Sequence, residues 1–383
     1  MSLTMVPLSQ TEQRAERAVE LTSLPRVLLI GPSLRIMGGQ AVMADSLLRG
    51  MRGDGVDIDF LPINPQPPGI LRHTEKVKYL RTVMVSFFYV ISLLQRVRRY
   101  DVIHLFSAAY ASFMVAQLPA ILIARWYGKP LILNYRSGEA EDHLRRWGRS
   151  VFWVLRLADR ISVPSDFLVD VFGRFGFQAT PIANVIDDRA IRYRLRRLAE
   201  PRILVPRALE PLYNVGCAIR AFALVQKQFP HAQLTILGDG SQRKQLEQQV
   251  RDLYLRDVHF AGRVERSQIG DYYDRHDILL NTTTIDNMPV SLLEGFAAGL
   301  PIVTTNAGGI PYLARDRQNA HVVPVNDYEA AAERMLELLQ DPTEVERLSR
   351  LGAVEVQKYL WNNVSRQWYQ LYYETWQQHH NGR

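Results

Sequence analysis

The sequence predicts an α/β protein of two doubly wound domains, each a parallel sheet covered by helices on both faces. Three observations predict this. Short, nearly continuous apolar runs alternate with stretches of helical spacing, the signature of strands buried on both faces. The alternation pauses in an arginine-dense stretch at 187–200 and then restarts, so there are two βα series. The 383 residues accommodate two domains at roughly 100–200 residues each.

A polar leader occupies 1–24. RVLLIG at 26–31 is a short apolar run ending in glycine and reads as a buried strand. GGQAVMADSLLRGM at 38–51 has helical spacing. DVIHLF (101–106), GKPLILNY (128–135) and DRISVPS (159–165) are further strands, with an apolar helical stretch reaching Tyr127 and a helix starting at Asp166. PRILVP (201–206) opens the second series. QLTILGDG (233–240), DVHFAGRV (257–264), DILLNTT (277–283) and LPIVTTNAGG (300–309) continue it, each succeeded by helical spacing. The tail from 361 to 378 is aromatic and helical in period.

Composition excludes several classes. Hydrophobic residues make up 47% and charged residues 22%, against a disordered or collagenous chain. Cys217 is the single cysteine; an intrachain disulfide and a Cys-rich metal site are excluded, and a reducing compartment is expected. The net charge of +7 is uneven. Residues 1–199 carry 27 Lys+Arg against 17 Asp+Glu, and residues 200–383 carry 19 against 22. The basic first half reads either as a contact for an anionic partner, such as a membrane surface or acidic substrate, or as ordinary solvated charge. A nucleic-acid partner is disfavoured, because no basic motif interleaved with aromatics appears. The leader carries Glu12, Glu16 and Glu20 and no apolar core, so no secretory signal is expected. The longest apolar stretch, 83–94, has 12 residues, short of the about 20 that span a bilayer. It reads as a buried core helix or as an interfacial helix on an anionic bilayer. The expected location is cytoplasmic, with peripheral attachment to the inner membrane face as a refinement.

In open α/β sheets ligands bind beyond the carboxyl ends of the strands. The richest strand-end segment is 282–311. A strand ends near Asn281, and Asp286 or Asn287 is a natural N-cap. Pro289 suits a first helical turn. The helix start would leave free N–H groups at Met288, Val290 and Ser291, suited to a phosphate. Glu294 falls about two turns beyond Asp286, on nearly the same helical face. Two carboxylates over a phosphate site suit the hydroxyls of a ribose and a sugar.

These residues resemble the donor-binding region of retaining glycosyltransferases of family 4 (group 1). That family has a Glu, seven residues, a second Glu, a small-residue helix, Gly-x-Pro, a strand and a Gly-Gly turn. Glu294 matches the second Glu, Gly299 and Pro301 match the Gly-x-Pro, and Gly308 and Gly309 match the Gly-Gly turn. Asp286 replaces the first Glu at the same spacing and is one methylene shorter. Near the N-terminus, Gly38 and Gly39 match the family's Gly-Gly turn toward the donor phosphates. Arg207 matches its diphosphate Arg, while Tyr213 and Asn214 stand where the family has a Lys slightly later. A guanidinium can take two phosphate oxygens at once. Gly238 lies in a segment that resembles the family's Gly-x-Gly turn.

The resemblance implies the GT-B fold, two Rossmann-like domains facing across a cleft. The expected boundaries are 25–199, 200–358, and a C-terminal helix at 359–383 crossing back to the first domain. It implies transfer of a sugar from a nucleotide-diphosphate donor to a glycan or lipid-linked acceptor, with retention of configuration and without a metal or other cofactor. The setting it implies is polysaccharide or glycoconjugate biosynthesis. It assigns Asp286, Arg207 and His104 to catalysis, His104 having a core histidine as its other reading. Gly38, Gly39, Arg207, Gly238, Asn287, Met288, Pro289, Val290, Ser291 and Glu294 would bind the donor. On the acceptor side many relatives have His-Gly where Arg136-Ser137-Gly138 stands, and Arg136, Glu139 and His143 are the candidates there. Two alternatives stand beside this reading: an impaired relative acting as a nucleotide- or glycan-binding scaffold subunit, and a nucleotide-sugar epimerase.

Overall fold

The computed structural model describes residues 24–33, 39–66, 78–107, 109–186 and 191–381. The leader up to residue 23 and Gly38 lie outside them. The chain forms two six-stranded sheets with parallel ladders. Two compact units emerge, one of residues 1–136, 143–162 and 365–383, the other of residues 137–142 and 163–364.

The first sheet contains β1 (Val27–Gly31), β2 (Ile58–Pro62), β3 (Val102–Ser107), β4 (Leu131–Tyr135), β5 (Arg160–Val163) and β6 (Thr180–Pro181) in the order β2-β1-β3-β4-β5-β6. Strands β1, β3 and β4 are buried at every position, which is why their sequences are continuous apolar runs. Helix α1 (Gly39–Gly53) links β1 to β2. Helices α2 (Lys78–Arg96), α3 (Leu118–Trp126) and α4 (Ala140–Leu155) make the crossovers β2→β3→β4→β5. These three steps run in one direction along the sheet, so right-handed crossovers put the three helices on one face, and α1 on the other. The apolar stretch 83–94 is part of α2, and it is not wholly a core helix. Tyr89 and Leu93 are buried, but Val83 and Phe87 are 64% and 57% exposed. Among the described residues no helix is long and apolar enough to cross a membrane.

The second unit holds β7 (Arg202–Pro206), α6 (Val215–Gln228), β8 (Gln233–Leu237), β9 (Val258–Gly262), α8 (Arg266–Arg275), β10 (Ile278–Asn281), α9 (Val290–Ala298), β11 (Ile302–Thr305) and β12 (His321–Val323), with α5 (Asp166–Arg174) and α7 (Arg243–Asp252) among its other helices. The strand order is β12-β11-β10-β7-β8-β9. Alternate strand residues supply two cores. Ile203, Val205, Ile278, Leu280 and Val303 enter one; Leu204, Leu279 and Ile302 enter the other. That is the period-2 consequence of a sheet covered on both faces. Helices α10 (Tyr328–Gln340) and α11 (Pro342–Val356) follow β12, and the last helix, α12 (Trp361–Asn381), returns to the first unit from residue 365.

Candidate active site

The loop after β7 begins with Arg207. Its Nε donates to Asn281 Oδ1 at 2.8 Å, and Nη1 lies 3.2 Å from Asp286 Oδ2. The guanidinium sits over the Tyr213 ring, 5.2 Å from its centroid. The tyrosine in the neighbourhood of the absent lysine therefore supports the arginine by a cation–π contact. Asn281 at the end of β10 is itself fixed, its amide donating to Thr304 Oγ1 at 2.8 Å. Among the described residues Arg207 Nη2 is buried without a hydrogen-bond partner, and so is Ser291 Oγ. Gly238 packs against the Arg207 backbone. Its φ is +131°, and a Cβ there would lie 2.3 Å from the Arg207 carbonyl oxygen, so only glycine fits.

Asp286 lies in a loop and not on a helix. Its carboxylate accepts from the Asn287 N–H at 2.8 Å. Helix α9 starts at Val290, with Pro289 at the N-cap (φ −66°, ψ 121°) and no side-chain cap. Neither Asp286 nor Asn287 caps the helix, contrary to the capping signal, and Asp286 does not share a helical face with Glu294. The physical reason is Pro289, which disfavours helical backbone at Met288. Met288 is instead held by Asn184, whose Nδ2 donates to the Met288 carbonyl at 2.7 Å. The Gly-Gly turn fixes the same loop: Cβ atoms on Gly308 and Gly309 would each lie 2.2 Å from the carbonyl oxygens of Asp286 and Asn287, and Gly309 N–H donates to Asp286 O at 2.9 Å. Gly138, in the segment 137–142 that packs with this unit, also presses on the loop: a Cβ there would be 3.2 Å from Asp286 Cα. Glu139 is the next residue and is half-buried.

Glu294 is on α9, where its Oε2 accepts from Tyr273 Oη at 2.8 Å. Tyr273, on α8, is fully buried. Burial raises the Glu294 carboxyl above its ordinary range, and the Tyr273 hydrogen bond and the charges of Arg266 and Arg207 oppose this. Burial likewise raises Asp286 against the pull of Arg207. Both are carboxyls whose charge depends on a donor nearby. The sequence reading missed Tyr273, Asn281 and the supporting role of Tyr213. The signal available for Tyr273 was one of two adjacent tyrosines in an otherwise polar helix, which does not distinguish core packing from a site.

The first unit places its candidates differently. His104 is fully buried in β3. Its Nδ1 is 2.7 Å from Tyr372 Oη and its Nε2 is 3.0 Å from Asn134 Nδ2, and it stacks on Trp368 at 4.6 Å. Burial pushes its pKa down to about 3. Both ring nitrogens are engaged in the core, which is the environment the core reading of His104 describes. His143 is also fully buried, 2.8 Å from Tyr135 Oη and packed against Phe113. Arg136 donates to Asn134 Oδ1 at 3.3 Å and lies over Phe106; burial lowers its pKa to about 9. Gly39 opens α1, and a Cβ on it would meet nothing within 4 Å.

The second unit thus gathers an arginine, two carboxylates and a helix N-terminus at the carboxyl ends of a parallel sheet, the place and chemistry of a site for an anionic ligand that carries hydroxyls. Comparison with known proteins gives this class a family. A model of group 1 glycosyl transferases matches residues 188–353, and one of glycosyltransferase family 4 matches residues 37–189. The chain is 27% identical over 290 residues to a glycogen synthase of Mycobacterium tuberculosis, covering 72% of this chain and 69% of that protein. It is 28% identical over 181 residues to a phosphatidyl-myo-inositol mannosyltransferase of Mycobacterium leprae, 46% of this chain and 47% of that one. The fold matches HepE from Anabaena, solved with UDP-glucose, at a TM-score of 0.70 and 16% identity over 90% of this chain and 98% of that one. It also matches a sucrose-phosphate synthase from Thermosynechococcus elongatus at 0.72 and 18%, over 91% and 98%. The chain belongs to the group 1 glycosyltransferases of family 4, and its fold is GT-B.

Proposed function

We propose that this glycosyltransferase moves a hexose from a nucleoside-diphosphate donor to a glycan or lipid-linked acceptor hydroxyl, with retention of configuration and without a metal. The observation that carries the donor reading is Arg207. It is held by Asn281, Asp286 and Tyr213, with Nη2 buried and unpartnered. When the sugar–phosphate bond breaks, its electron pair stays on the diphosphate. A fixed guanidinium and the N–H groups at the start of α9 stabilise that charge without reorganising. Glu294 accepts from the ribose hydroxyls and Asp286 from those of the sugar. The relatives include enzymes named for glycogen synthesis and for mannosyl transfer to a phosphatidyl-inositol, which supports a hexose and a polysaccharide or glycolipid product. The basic first half would meet the acceptor at an anionic membrane surface on the cytoplasmic side.

The test is a thermal shift with UDP, GDP, ADP, TDP and CDP on wild type and Glu294→Ala. A ligand at about 100 times its Kd adds about 2.7 kcal/mol. One nucleotide should raise the wild-type midpoint, and the variant should lose the effect. If none does, Asp286 and the missing lysine mark a lost donor site, and the scaffold reading replaces the enzyme.

A further inference from the structure

Helices α2, α3 and α4 form one layer on the first sheet. Tyr89 Oη donates to the Ala116 carbonyl and Tyr127 Oη to the Leu94 carbonyl, both at 3.0 Å, and the Phe113 and His143 rings lie 5.4 Å apart. The outer side of this layer is unusually apolar for a surface. Val83, Phe87, Val115, Leu122, Trp126 and Trp153 are exposed, Trp126 to 74%. With Trp147, these are seven of the eight exposed large apolar residues of the described first unit. Such a concentration marks a contact surface.

The same segments are strongly basic. Residues 78–158 contain twelve Lys and Arg against four carboxylates, Asp101, Glu139, Glu141 and Asp142; Asp101 binds Arg26 and Glu141 binds Arg174. Arg96 and Arg125 pair with Asp59 and Asp159. Arg145, Arg146, Arg149 and Arg156 are exposed along α4 and just beyond it, around the break at Gly148.

We propose that this helical face docks on an anionic lipid bilayer, its tryptophans and Phe87 entering the interface and the α4 arginines meeting headgroup phosphates. Basic residues beside exposed Trp and Phe are what an interfacial surface requires. A soluble polyanion would satisfy the arginines and leave the apolar side chains in water. A second copy would bring two basic faces together. The proposal deepens the reading of a lipid-linked acceptor and rests on it for its purpose, though not for the binding itself.

The experiment is co-sedimentation of the full chain with vesicles of phosphatidylcholine alone or mixed with phosphatidylglycerol, across a salt series. Wild type, Arg145→Glu/Arg149→Glu and Trp126→Ala/Trp153→Ala are compared, all at exposed positions, with unchanged melting midpoints as the check on folding. Binding should require phosphatidylglycerol and weaken with salt. The charge reversal should weaken it roughly thirtyfold or more, and the tryptophan pair about tenfold. No binding to mixed vesicles overturns the proposal, as does binding that survives both double variants. Capture by heparin without vesicle binding, or a dimer abolished by the tryptophan variant, overturns it too and assigns the face to that partner. The nucleotide shift is measured on the same samples. Wild type that gives the shift but does not bind mixed vesicles overturns the docking face alone; wild type that binds vesicles but gives no shift overturns the donor reading alone.

Discussion

The finest control in the candidate site belongs to Tyr273. Its hydroxyl has one proton, and the geometry commits it to Glu294 Oε2 at 2.8 Å. That fixes the carboxylate's orientation and, in the proposed site, leaves Oε1 for the ribose. Tyr273→Phe keeps the buried ring and deletes the hydrogen bond. Nucleotide affinity should fall about tenfold, or about 1.4 kcal/mol, consistent with one hydrogen bond to a charged group. The pH dependence supplies a readout that packing alone would not move. Burial already raises the Glu294 carboxyl, and Tyr273 opposes the rise; deleting it raises the carboxyl further. In the proposed site the carboxylate accepts from the ribose, so affinity should be lost as pH falls through this raised pKa. The loss should begin at a higher pH in the variant. In the free protein the sign is opposite. A carboxyl raised by folding adds stability below its unfolded pKa, and that stability is lost as pH rises through the folded value. Equal pH profiles of nucleotide affinity in wild type and variant would remove Tyr273 from the site. His104 shows the limit of reading single residues. A histidine in a strand looks the same in sequence whatever surrounds it, and here its Nδ1 meets Tyr372, 268 positions away.

At the scale of elements, the strands were legible because a strand buried on both faces has little choice but a continuous apolar run, and β1, β3 and β4 obey this at each position. The start of α9 was not, because Asp286 and Asn287 carry a good capping signal that Pro289 overrides from within the same five residues. The Gly-Gly turn was recognisable, but its physical reason was not: carbonyl oxygens of the 286–287 loop occupy the space of both missing side chains. This gives a test of the loop as a unit. Gly309→Ala would put a Cβ 2.2 Å from the Asn287 carbonyl oxygen, and backbone must move. The expected cost is about 1–3 kcal/mol of stability, together with weaker nucleotide binding because the moved loop carries Asp286. Gly39→Ala is the contrast, since its Cβ meets nothing within 4 Å; its melting midpoint should hold or rise slightly. Equal midpoints for the two variants would mean the Gly309 contact is not rigid.

On the scale of the whole molecule, the first unit is discontinuous, and its last piece arrives from the far end of the chain. Residues 365–383 of the chain, which include most of α12, belong to it. Trp368 stacks on His104, Tyr372 reaches the same ring, and Tyr369 donates to Asp54 beyond the end of α1. The aromatic period of the tail was plain in the sequence, and its partners were not, since nothing local connects residue 368 to residue 104. The donor candidates Arg207, Asp286 and Glu294 lie wholly in the second unit. The two units can therefore be perturbed separately. Trp368→Ala removes a side chain only 2% exposed and should cost about 3–5 kcal/mol, mostly as a cavity beside His104. The variant's melting midpoint should fall clearly. The increment that a nucleoside diphosphate adds to that midpoint should persist where melting still reports the second unit, and the nucleotide Kd measured by calorimetry below the transition should match wild type. A Kd weakened severalfold would mean that the aromatic anchor of α12 is energetically coupled to the donor residues, and that the site is a property of the whole chain and not of its second unit.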